Sequence, residues 1–254
     1  MKSLHPNLTR RGLLAALTGL ASAVAIGASA GPVAAATSLG TAAIFGDAFS
    51  ATTYSTVSNW PQQLAKKGLL TVTANYAADG AMASVSSGPQ SFVGQVDKYL
   101  ATKPTLPDFT IVYFGTEDLQ HHAQDMTAAK SNYTAAIDKL VKVGANSGNK
   151  KLILVQIHDV SHDPGVATKV RTAVVDFNKF IQRIYKSRPN LVSVNLGNLM
   201  DVVYAHPERW DLTNVSTVDA AHSDTTALYF DPLHFGKKGQ SFIAGKIRRF
   251  LTPS

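Results

Sequence analysis

The sequence predicts a three-layer α/β/α domain built on a doubly wound, parallel, five-stranded sheet. Short apolar segments, rich in β-branched and aromatic residues, alternate with longer amphipathic segments. The chain has 254 residues, of which 45% are hydrophobic, enough for a single domain with a sizeable core. We find no internal repeat and no long linker within residues 37–254, which we therefore interpret as one domain.

Five segments are predicted as strands because each is short and apolar along most of its length, as strands covered on both faces are. In chain order they are 41–45, 70–76, 109–114, 152–157 and 191–196.

Four segments are predicted as helices because their apolar residues recur at helical spacing. They are 91–102, 126–143, 170–186 and 239–251. Strands that alternate with such helices imply right-handed βαβ units. Residues 213–227 have the weakest pattern, and we expect a surface loop there.

Residues 1–36 are interpreted as a signal peptide. Basic residues precede an apolar stretch at 13–30, and three alanines at 34–36 offer a cleavage site. The Arg10-Arg11 pair resembles a twin-arginine signal, although an ordinary secretory signal with two chance arginines stays an alternative. We expect a periplasmic or secreted protein with no membrane span once the signal is removed.

The composition argues against several classes of protein. The formal net charge of +7 includes three basic residues of the expected signal, and the lysine and arginine doublets are scattered rather than gathered in a stripe. Nucleic-acid binding is therefore not expected. The chain has no cysteine, which excludes disulfides and thiolate metal sites. We expect a monomer.

Four segments follow predicted strands or precede the last helix. They read Ile-Phe-Gly-Asp-Ala-Phe-Ser at 44–50, Asn-Tyr-Ala-Ala-Asp-Gly-Ala at 75–81, Gly-Thr-Glu-Asp at 115–118 and Asp-Pro-Leu-His at 231–234. In an open α/β sheet the ligand crevice lies at the carboxyl ends of the strands. We therefore expect these segments to surround one crevice, with Asp47 as a candidate binding residue.

In this order the four segments resemble the sequence blocks of the SGNH/GDSL hydrolase family, in its GDSL lipase/esterase branch. The resemblance implies a carboxylic-ester hydrolase in which Asp231 orients His234, and His234 acts as the general base. It also implies that the amide of Gly80 helps to bind the oxyanion, and the backbone amide of Ala48 could be a second donor. The family's nucleophilic serine corresponds to Ala48, and its oxyanion-binding asparagine corresponds to Glu117.

Two departures from the family pattern predict an impaired enzyme. Ala48 has no hydroxyl group with which to attack an ester, and an ionised Glu117 can only accept hydrogen bonds. Ser50 is an alternative nucleophile, and Asp231 with His234 could instead form only a structural turn. Glu117 could be a solvated carboxylate or could pair with His234.

A divalent metal site is a second interpretation of the same residues. Asp47, Glu117, Asp118 and His234 could face one crevice, and residues 158–163 contain two histidines and two aspartates. The latter segment also fits a plain turn that ends in Asp-Pro-Gly. We therefore predict no metal and no cofactor.

The sequence leaves three functional hypotheses open. The chain could bind envelope glycans or acyl lipids without catalysis, or it could hydrolyse esters weakly by activating water. It could also be an engineered serine-to-alanine variant of an active enzyme, against which Glu117 argues because it is a second change. In each case the expected partner is an acyl- or acetyl-ester small molecule, a lipid or an envelope polysaccharide.

Overall fold

A five-stranded parallel sheet forms the centre of the protein. The computed structural model describes residues 37–52, 58–166 and 170–251. The strand order is β2-β1-β3-β4-β5, and all pairs are parallel. The five predicted strands and the doubly wound fold class are confirmed. The strands are β1 (Thr41–Gly46), β2 (Thr71–Asn75), β3 (Phe109–Tyr113), β4 (Lys151–Val155) and β5 (Leu191–Val194).

Helices cover both faces of this sheet. They are α1 (Trp60–Lys66), α2 (Phe92–Ala101), α3 (Thr116–His122), α4 (Thr127–Lys142), α5 (Arg171–Lys186), α6 (Leu196–Ala205) and α7 (Lys237–Arg248). One layer packs α2 against α4 and α4 against α5, and the other packs α1 and α6 against α7. Because both faces are covered, all five residues of β3 are buried, which explains why four of the five are apolar or aromatic.

The predicted surface loop at 213–227 is wrong in part. It contains β6 (Asn214–Val218), which pairs in parallel with β7 (Ala227–Tyr229) in a separate two-stranded sheet. Three of the five residues of β6 are exposed, so the strand has neither the apolar run nor the strict alternation that predicts a strand.

The predicted signal peptide, residues 1–36, lies outside the described residues, so export stays a prediction. No helix in the described part of the chain is long and apolar enough to span a membrane.

Candidate active site

The loops that follow β1, β2 and β3 meet at one edge of the sheet. In the order β2-β1-β3-β4-β5 the connection reverses direction between β1 and β3, and ligands bind at such switch points. The first loop starts at Gly46, whose N–H and C=O both bond to the Gln95 amide of α2, at 3.1 and 2.9 Å. A Cβ at Gly46 would lie 2.6 Å from the Tyr113 carbonyl oxygen, so glycine is required here.

Asp47 is fully buried and joins the first loop to the third. Its carboxylate accepts hydrogen bonds from the N–H groups of Gly115 and Thr116, at 3.2 and 3.0 Å, and from the Thr116 hydroxyl. It also accepts from the N–H of Phe49 at 3.3 Å. Burial, and then the charge of Glu117, raise the pKa of Asp47 to about 7, despite these hydrogen bonds. Asp47 therefore positions the loops rather than lining the crevice.

Ala48 is fully buried in the first loop. Gly80 lies in a turn after β2 with φ of +67°, a left-handed conformation that favours glycine. Within the part of the chain that the structure describes, neither the Ala48 N–H nor the Gly80 N–H donates a hydrogen bond. Both predicted oxyanion donors are thus without a protein acceptor in the described residues.

Asp231 and His234 form a close pair in the loop before α7. The Nδ1 atom of His234 lies 2.9 Å from both carboxylate oxygens of Asp231. Asp231 also accepts from the N–H groups of Leu233 and His234, at 2.9 and 2.8 Å, so it stabilises the turn as well as the ring. The imidazole packs on Phe49, the neighbour of Ala48, with ring centroids 5.7 Å apart.

The pKa values of His234 and Asp231 shift in opposite directions from their usual values. Burial lowers the pKa of His234, but its contacts with Asp231 and Glu117 outweigh burial and raise the pKa to about 9. Burial favours the neutral form of Asp231, yet its bonds to His234 and to Leu233 lower its pKa overall. His234 is therefore mostly protonated at neutral pH in this environment.

Glu117 is only 4% exposed, in the first turn of α3. Its carboxylate lies 3.7 Å from Nε2 of His234 and 3.5 Å from Nε2 of His121. Of the two roles left open by the sequence, the structure therefore favours pairing with His234. The adjacent Asp118 points elsewhere and accepts from the backbone N–H groups of residues 83 and 84.

Asp79 is the site residue that the sequence argument missed. One side-chain ligand atom from each of Asp79, Glu117 and His234 lies within 4.8 Å of the other two. In the sequence, the only indication that Asp79 belongs to the site is its position directly before Gly80, a candidate oxyanion donor. The predicted metal candidates Asp47 and Asp118 do not join this cluster, because backbone N–H groups hold both carboxylates.

Ser50, the alternative nucleophile, serves the core instead. It is fully buried, and its hydroxyl oxygen accepts a hydrogen bond from Nε1 of Trp60 at 3.0 Å. Its carbonyl oxygen accepts from the side-chain amide of Asn75 at 2.9 Å. Ser50 therefore holds the first loop against α1.

Residues 158–163 form a turn with one short 3₁₀ helix, as the plain-turn interpretation expects, but three of its polar residues, His158, Asp159 and Asp163, are buried. The His158 ring contacts the Tyr113 hydroxyl at 3.0 Å and the Asp163 carboxylate at 3.4 Å. Asp163 also accepts from the hydroxyl of Tyr229, which contacts that of Tyr204 at 2.8 Å. This buried network contacts the first loop of the site, because the His158 ring packs on the Phe49 ring with centroids 5.0 Å apart.

One cavity lies beside the Asp231–His234 loop, and a second lies between α1 and the start of α7. The first, of about 710 Å³, lies beside α3 and is lined by both polar and apolar residues, among them Gln120, His121 and Val166. Gln120 also donates to the carbonyl of Leu233 at 3.1 Å, so this cavity adjoins the Asp231–His234 loop. The other, of about 620 Å³, is lined by lysines 66, 67, 237 and 238, which are two separate doublets in the sequence.

Comparisons with known proteins agree with this architecture. Residues 44–242 match the GDSL-like lipase/acylhydrolase family. The search of curated proteins found no match.

Three solved structures are similar at low identity. An acetyl xylan esterase is 17% identical over 83% of this chain and 98% of its own, with a TM-score of 0.58. A member of the lipolytic protein G-D-S-L family from Veillonella parvula is 13% identical over 82% and 96%, with a TM-score of 0.57. A carbohydrate esterase family 3 protein from Talaromyces cellulolyticus is 15% identical over 83% and 95%, with a TM-score of 0.54. At these identities the likeness shows the fold alone.

Proposed function

Because the chain belongs to the GDSL-like lipase/acylhydrolase family, we propose that it is an exported relative of carboxylic-ester hydrolases with an impaired acyl-enzyme route. Its crevice takes acyl or acetyl esters. The observation that carries this proposal is the Asp231–His234 pair, with Nδ1 2.9 Å from the carboxylate, packed beside a first loop that has Ala48 at the nucleophile position. The base and its orienting carboxylate are retained, and the attacking hydroxyl is replaced by a methyl group.

The proposed impairment has two parts. Without a hydroxyl at position 48, no covalent acyl intermediate can form there. A carboxylate at Glu117 disfavours the negative charge that develops on the ester oxygen, and losing one oxyanion donor alone typically costs about 10²–10³ in rate. The amides of Ala48 and Gly80 are available as the remaining donors.

Direct activation of water by His234 is disfavoured near neutral pH. A general base must be deprotonated to accept a proton, and the pKa of His234 is raised to about 9. A bound water also lacks the positioning that a covalently attached serine hydroxyl has. We therefore expect negligible turnover of short-chain esters by the protein as it stands.

Binding without hydrolysis is the second candidate function. The cavity of about 710 Å³ next to the Asp231–His234 loop favours it, because its mixed polar and apolar lining suits an acylated sugar or a lipid. Titration calorimetry with acetylated xylo-oligosaccharides, followed by an assay for released acetate, separates the two functions. Binding by the unmodified protein, with no His234-dependent acetate release even in Ala48→Ser, supports the second function. His234-dependent release by Ala48→Ser, but not by the unmodified protein, supports the first.

A further inference from the structure

Asp79, Glu117 and His234 converge from three separate segments of the chain. Asp79 lies in the loop after β2, Glu117 in α3 and His234 in the loop before α7, yet one ligand atom from each lies within 4.8 Å of the others. Among the residues that the structure describes, no other group of three histidine, aspartate or glutamate side chains comes as close.

His234 is already oriented as a metal ligand would be. Histidines that bind metals usually donate their second ring N–H to a carboxylate, which fixes the tautomer and the ring direction. Nδ1 of His234 is held by Asp231 at 2.9 Å, and Nε2 is the atom on the side of Glu117. Once an ion displaces the proton from Nε2, a ring held this way directs its Nε2 lone pair to an ion that lies beside the carboxylates.

Glu117 supplies the second, independent observation. Its side chain is 94% buried, and its ion-pair contacts in the described residues are with the imidazoles of His121 and His234, never with lysine or arginine. Asp47 is buried nearby, and Asp231 lies behind His234. Burying several carboxylates together is unfavourable unless a cation is present among them; the imidazolium of His234 is that cation when no ion is bound, and a divalent ion at Nε2 takes its place when the proton is released.

The spacing suits a small divalent ion. Two ligands about 2.1 Å from a tetrahedral zinc ion lie about 3.4 Å apart, and Oε1 of Glu117 lies 3.7 Å from Nε2 of His234. Asp79 is exposed, so a small movement of its side chain can complete the set. Three protein ligands with an open position are typical of catalytic zinc sites.

We propose that Asp79, Glu117 and His234 bind one first-row divalent metal ion, with Zn²⁺ as the best match. One imidazole with two carboxylates favours zinc over Mg²⁺, which prefers oxygen ligands and retains its waters. The bound ion neutralises the carboxylate of Glu117 in the crevice. The proposal does not depend on ester hydrolysis, since ion binding is measured without any ester.

The test is calorimetric titration of the full mature protein with ZnCl₂ after treatment with a chelator. We expect one ion per chain, with much weaker binding of Mg²⁺, and a visible absorption spectrum of bound Co²⁺ that depends on His234. Asp79→Asn and Glu117→Gln should each weaken Zn²⁺ binding by about 10-fold or more, and Asp231→Asn by about 10-fold through the orientation of His234.

The exposed pair Asp219 and His222 provides the matched control. It has the same spacing in sequence and the same Nδ1–carboxylate contact, at 3.0 Å, but no third ligand among the residues that the structure describes. Asp219→Asn and His222→Ala should leave Zn²⁺ binding unchanged. Circular dichroism of each variant verifies that it is folded. The proposal is overturned if the folded wild-type protein binds no Zn²⁺, since an imidazolium at His234 then supplies the cation instead. It is also overturned if Glu117→Gln and Asp79→Asn bind Zn²⁺ as tightly as the wild type does.

Discussion

Oε1 of Glu117 lies 3.7 Å from Nε2 of His234, the ring nitrogen opposite the one that Asp231 holds. The imidazole therefore lies between two carboxylates. Together with the Asp231 contact, this arrangement raises the pKa of His234 to about 9, against the opposing effect of burial. The same carboxylate that disfavours an oxyanion thus also keeps the candidate base protonated.

The pH dependence of a serine-restored protein should reflect this arrangement. In Ala48→Ser, with a chelator present, kcat/KM for nitrophenyl acetate should be low at pH 7 and should rise towards about pH 9, because only deprotonated His234 can act as a base. In Ala48→Ser with Glu117→Gln the rise should occur at lower pH, because one of the contacts that raise the pKa is gone.

In that experiment the rate of spontaneous ester hydrolysis is measured with the Ala48→Ser/His234→Ala variant and is subtracted. Ala48→Ser with the exposed His222 changed to alanine serves as the control and should keep the profile of Ala48→Ser. An identical profile with and without Glu117 would contradict the argument that Glu117 raises the pKa of His234.

Replacing Asp47 should destabilise the fold. Asp47→Ala removes the acceptor for the buried N–H groups of Gly115 and Thr116, and each buried donor left without a partner costs about 1–3 kcal/mol. We expect the free energy of unfolding in urea to fall by about 2–4 kcal/mol. Asp125→Ala is the control, since Asp125 accepts from the Thr127 N–H at an exposed position and should matter less. Equal losses for the two variants would show that Asp47 does not join the loops.

Export is testable from the amino terminus of the protein. We expect the mature chain to begin near Thr37 and to be found outside the cytoplasm. Changing Arg10-Arg11 to a lysine pair should block a twin-arginine route, whereas an ordinary secretory signal tolerates the change. Amino-terminal sequencing decides between these outcomes, and an intact Met1 on stable cytoplasmic protein would contradict export altogether.

The sequence predicted the central sheet well because buried parallel strands have an unmistakable composition. All residues of β3 are buried, and they read Phe-Thr-Ile-Val-Tyr. The helix α6, of ten residues, and the helices α1 and α3, each of seven, were missed. Two turns are too short to show a helical period, and α3 starts without a side-chain cap.

The sequence predicts those parts of the site that lie at the ends of strands or within one short turn. Asp231 and His234 are three residues apart, so a tight turn suffices to join them. The position of Asp79 depends on how the loop after β2 folds back towards α3, which no local pattern reports. The burial of His158 and Asp163 depends likewise on partners far along the chain, such as Tyr229.

Restoring a serine hydroxyl at position 48 tests whether its absence is what impairs ester hydrolysis. Hydrolysis of nitrophenyl acetate is compared for the unmodified protein, Ala48→Ser, and Ala48→Ser with Glu117→Asn, each with His234→Ala as its control. We expect negligible turnover by the unmodified protein and measurable His234-dependent turnover by Ala48→Ser. In the double variant turnover should be about 10-fold or more higher again, with non-additive effects. Substantial His234-dependent turnover by the unmodified protein, or no gain in either variant, would contradict this explanation of the impairment.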